Sequence, residues 1–291
     1  MLGEGLLHGF TASDGTRIAY RDTGSGTPVV LLHGLMAHGG FFAGQAGLAE
    51  DFRIIAVDLR GHGSSAGEDM ASGDDSGPSV ERMAADVAEL ADALGLEGAI
   101  GVGWSLGATI LWHVLAGPAA SRFAGAVVVD MTARVKNDAE CDLGLSPEAC
   151  EARSIAIRDD FETFALGAGQ AIFAQPVAPE MRKLADWASL QFARNDAEAM
   201  ASVWNSLVRQ DVRALLEKIQ HPTLIVHGAQ SSLYGADTAD HLVAALPQAR
   251  AVRFEQSGHA PHLEEPELFN ATVKQFAESL SLARVTQITN S

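Results

Sequence analysis

Four short apolar runs most constrain what this chain can become: PVVLLHG (28–34), RIIAVDLRG (53–61), AIGVGW (99–104) and AGAVVVD (124–130). Each has glycine or aspartate at or near its end. A strand with one face in water alternates apolar and polar residues, whereas runs as continuous as these suit strands buried on both faces of a mainly parallel sheet covered by helices. The helical partner is visible in SVERMAADVAELADALG (79–95), whose apolar residues recur at helical spacing and which ends in a C-capping glycine. An opening hairpin is expected through LLHGFTASDGTRIAYRDTG, with Asp14-Gly15 as its turn. The strand pattern resumes at HPTLIVHG (221–228) and ARAVRFEQSG (249–258), with ADTADHLVAALP and ELFNATVKQFAESL as helices.

Between Asp130 and about residue 215 the rhythm changes to helix-period segments, such as ARSIAIRDDFETFALGAGQAIF and MRKLADWASLQFARNDAEAMASVWNSLV, with no convincing strand. The expected organisation is an α/β core of residues 1–130 and 216–291, interrupted by a helical cap or lid over 131–215. No repeat is present, and the one biased stretch is a Gly/Ser/Asp-rich loop around 66–79.

The formal charge of −17 argues against attraction to phosphate backbones or anionic lipid surfaces, so neither nucleic acid nor membrane is an expected partner. No apolar run approaches the ~20 residues that span a bilayer. The segment MLGEGLLHGF lacks both a basic region and a sustained apolar stretch, and the expected location is cytoplasmic. The two cysteines, Cys141 and Cys150, are expected to be free thiols, although a bridge across nine positions is geometrically conceivable. A monomer or homodimer is the expected state.

Gly103-Trp104-Ser105-Leu106-Gly107 falls where a strand should end and a helix begin, a G-x-S-x-G pattern. Lifting a serine hydroxyl clear of the backbone takes a tight strand-to-helix turn, where side chains at the flanking positions would collide with neighbouring backbone. Such a turn is also compatible with a structural Gly-rich corner, or loosely with a dinucleotide loop at Gly101-Val-Gly103. Leu32-His33-Gly34-Leu35-Met36 follows an earlier strand, and the N–H groups of Leu35 and Leu106 are candidate donors to a developing oxyanion. His33 reads as support for that loop. Gln256-Ser257-Gly258-His259-Ala260-Pro261-His262 lies just beyond the last expected strand, and His259 is the candidate base that would take the serine proton. A metal site on His259 and His262 lacks a third ligand and the H-E-x-x-H pattern. Met36 and Trp104 are expected to line the pocket, with Trp187 or Trp204 as weaker candidates.

These three motifs, in this order and over roughly residues 20–280, resemble the α/β-hydrolase superfamily; Asp58-Leu-Arg60-Gly-His62-Gly-Ser64-Ser65 is similar to its D-x-R-G-x-G-x-S stretch. The resemblance implies an eight-stranded, mostly parallel sheet with a helical cap, hydrolysing small esters, amides, lactones or related bonds without metal or cofactor. Dehalogenase- and epoxide-hydrolase-like members need an aspartate where Ser105 stands. The expected activity is cleavage of a small carboxylic ester through an acyl-enzyme. Hydrolysis of a lactone or a ketone-activated carbon–carbon bond stays open, as does a ligand-binding protein that keeps the fold.

One position departs from the family pattern. After Thr223–Gly228, where most members resembling this chain carry the acid, the sequence reads Gly228-Ala-Gln-Ser231-Ser232. A serine cannot supply the charge that orients and stabilises an imidazolium. Asp130, closing the preceding apolar strand, resembles the acid of a minority arrangement. An ionised group there would be costly to bury without a partner. Asp237 is the fallback, although its place also suits a helix N-terminus, and a dyad without an acid stays open.

Overall fold

In the computed structural model, residues 6–65 and 77–289 are described; the expected loop at 66–79 falls largely outside them. The chain builds one eight-stranded sheet from β1 (Leu7–Thr11), β2 (Arg17–Gly24), β3 (Pro28–Leu32), β4 (Arg53–Val57), β5 (Ala99–Trp104), β6 (Phe123–Val129), β7 (Thr223–Gly228) and β8 (Ala249–Phe254). Their order in space is β1-β2-β4-β3-β5-β6-β7-β8. The first two pairings, β1 with β2 and β2 with β4, are antiparallel, and every later one is parallel. The hairpin turns at Asp14-Gly15, where the Gly15 amide donates to the Ala12 carbonyl.

Every residue of β3 and β5 is buried, as their unbroken apolar sequences require. Pairing aligns Gly101 with Ala126, so these two share a face and Gly125 points to the other. On the first face α2 (Leu106–Leu115) presses Leu111 against Gly101; on the second, α10 (Pro266–Thr289) brings Phe276 and Leu280 against Gly125. Helices therefore cover both sides, the eight-stranded, mostly parallel architecture expected from the sequence. α1 (Val80–Ala93) packs on α2; the Ser79 hydroxyl accepts from the Arg82 amide at its start, and Gly95 takes φ 59° just past its end.

Between β6 and β7 the chain forms α3 (Pro147–Asp159), α4 (Phe161–Ala171), α5 (Arg182–Phe192), α6 (Ala197–Val208) and the short α7 (Arg213–Leu216). Each long helix-period segment breaks in two at an aspartate. Asp160 and Asp196 turn their carboxylates onto the Thr163 and Ala199 amides and cap α4 and α6. The chain also makes isolated bridges there, Arg134 with Asp211 and Lys136 with Leu145. After β7 come α8 (Ala236–Ala245) and α9 (Pro261–Glu264). No described helix is long and apolar enough to cross a membrane.

Strand order reverses between β3 and β5: the chain passes from β3 outward to β4, then crosses back to β5 on β3's other side. Crevices at the carboxyl ends of strands flanking such a switch point are the usual ligand sites of open α/β sheets. The His33-Gly34-Leu35 and Ser105 segments both leave the sheet there.

Candidate active site

Ser105 sits at φ 52°, ψ −118°, a conformation that an L side chain adopts only under constraint. Its amide donates to the Val129 carbonyl at the end of β6, and its own carbonyl accepts from the Ala108 amide in α2. The flanking glycines are required by space. A Cβ at 103 would stand 2.5 Å from the Gly107 carbonyl oxygen, and one at 107 would collide with the Leu32 carbonyl. Three non-glycine residues have positive φ among those described: Met36 (64°), Ser105 and Asp130 (46°). All three belong to this corner of the molecule.

His259 lies on the loop before α9, and its Nδ1 is 2.6 Å from Asp130 Oδ2, both side chains almost wholly buried. The carboxylate is held from two further directions. The Ser231 hydroxyl donates to Oδ2 at 2.7 Å, and the Gly228 amide donates to Oδ1 at 3.3 Å. Thus the serine at the position where an acid was sought touches the Asp130 carboxylate one strand earlier. Ser231 Oγ also accepts from the Leu233 amide, so its hydroxyl hydrogen is left for Asp130. Asp237 stands exposed in the first turn of α8.

Leu106 opens α2 directly after Ser105, and Leu35 borders the same cavity as Ser105. The His33 ring fixes the Leu35 loop: Nε2 accepts from the Leu59 amide at 2.9 Å, leaving Nδ1 to donate to the Gly34 carbonyl at 2.8 Å. Burial holds His33 well below the usual imidazole range, in keeping with a neutral structural ring. Asp58 gathers the Gly39 and Ser64 amides, while Arg60 pairs with Asp86 and Asp14, so this stretch braces the β4 end.

A cavity of about 400 Å³ joins Ser105 and His259 to the helices between β6 and β7. Met36 and Trp104 line it, together with Phe164, Ile172, Phe192 and Trp204. Trp187 does not; it packs 4.6 Å from Phe41, between ring centroids, and lines a separate hollow beside His38. This corrects the expectation for Trp187, whose side of α5 faces away from Ser105. Trp104 also donates its indole N–H to the His259 carbonyl. The His262 ring meets Trp104 tilted by 58° at 4.7 Å between centroids and is pushed down to about 3 by burial; among the described residues no group of three or more His, Cys, Asp or Glu could hold a metal.

Several contributors were invisible as motifs. Tyr234 and Arg153 border the cavity, and Glu264 accepts from the Gly258 amide on one oxygen and the Ala174 amide on the other. The His259 amide itself donates to the Ile172 carbonyl. Ser231, by contrast, had a sequence signal, its place in the pattern where a carboxylate was missing.

A family profile described as "Alpha/beta hydrolase family" matches residues 29–272. The chain belongs to the alpha/beta hydrolase family. Among its alpha/beta hydrolase relatives, a pimeloyl-[acyl-carrier protein] methyl ester esterase of Nitrosomonas europaea is 31% identical over 85% of this chain and 94% of its own. A non-heme chloroperoxidase of Streptomyces lividans is 30% identical over 92% of this chain and 99% of its own. An esterase from Exiguobacterium antarcticum superposes with a TM-score of 0.85 at 27% identity, covering 94% of this chain and all of its own. Cys141 and Cys150 are both free and buried.

Proposed function

We propose that the protein is a serine hydrolase of carboxylic esters, with Ser105 as nucleophile, His259 as base and Asp130 as the acid that orients it. The observation that carries this reading is the buried 2.6 Å contact between His259 Nδ1 and Asp130, reached from a cavity that the strained Ser105 also lines. Similarity to named esterases supports the reaction class.

With Nδ1–H donated to Asp130, Nε2 carries the free lone pair. It takes the Ser105 proton as Oγ attacks the ester carbonyl carbon. The carbonyl π electrons move to oxygen, and the amides of Leu35 and Leu106 are the donors that would meet the oxyanion; losing one such donor typically costs about 3 kcal/mol. As the tetrahedral intermediate collapses, the alcohol leaves with the proton from Nε2. Water, deprotonated by the same nitrogen, then releases the acid and returns the proton to Ser105. Residues 131–215 act as the cap over the acyl and alcohol groups, and the substrate is a small molecule handled without cofactor.

Turnover of p-nitrophenyl acetate or butyrate tests the assignment. Ser105→Ala should lower kcat by on the order of 10⁴-fold or more, and a fluorophosphonate probe should label the wild type but not the variant. Unchanged turnover in the variant, or a wild type silent to both assays, would sink it; the silent result would favour a ligand-binding protein.

A further inference from the structure

The walls of the cavity away from Ser105 and His259 are largely apolar, with Phe164, Ala168, Ile172 and Leu207 among them. One cation interrupts them. Arg153, on α3, also lines the cavity, and its guanidinium carbon stands 5.7 Å from the centre of the Trp204 ring. Trp204 is itself held: its indole N–H donates to Ser154 Oγ at 3.0 Å, and that hydroxyl donates to the Cys150 carbonyl at 3.1 Å. The guanidinium therefore rests on a fixed aromatic platform, an arrangement that orients it without neutralising it.

Several arginines elsewhere in the chain are matched to carboxylates. Arg60 meets Asp86 and Asp14, Arg53 meets Asp22, and Arg213 meets Asp211. Among the described residues Arg153 makes no ion pair, and its charge acts instead on the buried phenol of Tyr234, another residue of the cavity wall. A permanent cation facing a cavity of low polarity strongly favours an anion there, and a guanidinium fork fits a carboxylate in particular.

Resting on the esterase reading of the same cavity, we infer that the substrates are esters bearing a second, ionised carboxylate, with Arg153 as its counter-ion. Half-esters of short linear dicarboxylic acids are then preferred to the neutral diesters of the same acids. The scissile carbonyl is at Ser105 and the free carboxylate is against α3, so Arg153 sets specificity without touching the reacting atoms.

Two measurements test this. The first titrates Ser105→Ala protein, which cannot turn the ligands over, with the monomethyl and dimethyl esters of glutaric and adipic acids in a calorimeter. The half-ester should bind more tightly. Adding Arg153→Met should shrink the ratio of affinities by roughly 10- to 100-fold, the range expected for a charge-assisted hydrogen bond, while Arg153→Lys should retain part of it. The second compares kcat/KM for the same pairs in proteins with Ser105 intact, where Arg153→Met should reduce the half-ester to diester ratio similarly. A wild-type preference for the diester, a ratio unmoved by Arg153→Met, or no half-ester binding at millimolar concentration overturns the inference. Turnover with an unmoved ratio leaves the esterase standing without it. Arg153-dependent half-ester binding in a protein that never hydrolyses supports the carboxylate site and removes the esterase.

Discussion

Asp130 ends a strand of continuous hydrophobic sequence, and its carboxylate is surrounded by three donors: the His259 ring, the Ser231 hydroxyl and the Gly228 amide. Replacing it with Asn leaves the shape intact but allows an amide N–H to face Nδ1, which inverts the tautomer preference of the imidazole. Activity toward p-nitrophenyl butyrate should fall by about 10⁴-fold in Asp130→Asn. Removing only the Ser231 hydroxyl costs one donor to the acid, and Ser231→Ala should lose on the order of 10-fold, about one hydrogen bond to a charged group. Because Ser231 Oγ lies 2.7 Å from the oxygen that meets His259, a carboxylate at 231 is within reach of the ring. Adding Ser231→Asp to Asp130→Asn should therefore recover at least about 10-fold of the loss in kcat/KM; no recovery would show that the imidazole cannot be approached from β7. At this scale Ser105 and His259 were legible because each sits in a local pattern that backbone geometry demands. Asp130 was legible only from the anomaly of a charge closing an apolar strand. Arg153 and Tyr234 were not, since a residue on α3 or on the loop after β7 becomes a cavity wall only through the packing of segments distant in sequence.

At the scale of elements, the inner strands β3 to β7 were readable because burial on both faces leaves a nearly unbroken apolar signature, and the register then fixes which helix covers which side. The helices after β6 were readable as helices but not as four separate ones: Asp160 and Asp196 interrupt a periodicity that otherwise runs on, and a capping aspartate looks like any surface acid. Nor does sequence disclose how that unit is fastened. Glu264, at the end of α9, accepts from the Ala174 amide after α4 and from the Gly258 amide beside His259. Burial pushes its carboxyl up to about 7 from the ordinary 4.5, outweighing the amides that favour the ionised form. With the folded value above the unfolded one, this group favours the folded state most below pH 4.5, and the contribution is lost as pH rises to about 7. Glu264→Gln removes that dependence. The stability of the variant relative to wild type, from urea denaturation, should increase by up to about 3 kcal/mol across that interval; a constant difference would contradict the assignment.

At the scale of the whole molecule, burial lowers five histidines: His33, His62 and His262, the last two to about 4 and about 3, together with His38 and His227. Each has a folded pKa below its unfolded value. The unfolded chain therefore binds more protons below pH 6.5, and stability is lost as pH falls from there toward the folded values. Between pH 6 and 5 these buried imidazoles act against Glu264 and set the direction of the slope. Thermal melts should show a lower Tm at pH 5 than at 7.5, and replacing His262 with Phe should flatten that slope if the core accepts the ring. Buried groups are screened little by salt, so the acid sensitivity of these imidazoles should persist in high salt.

The bond from the His259 amide to the Ile172 carbonyl, doubled by Glu264 on Ala174, has one more consequence. A helical unit held only by its two chain connections could be exchanged between relatives as an accessory that alters which molecules enter. Here the segment that frames the cavity also carries an anchor of the loop bearing the imidazole. The shape of the cavity and the aim of the His259 imidazole are thus inherited as one unit, and a chimera that imports foreign helices must import their grip on residues 258 and 259 as well.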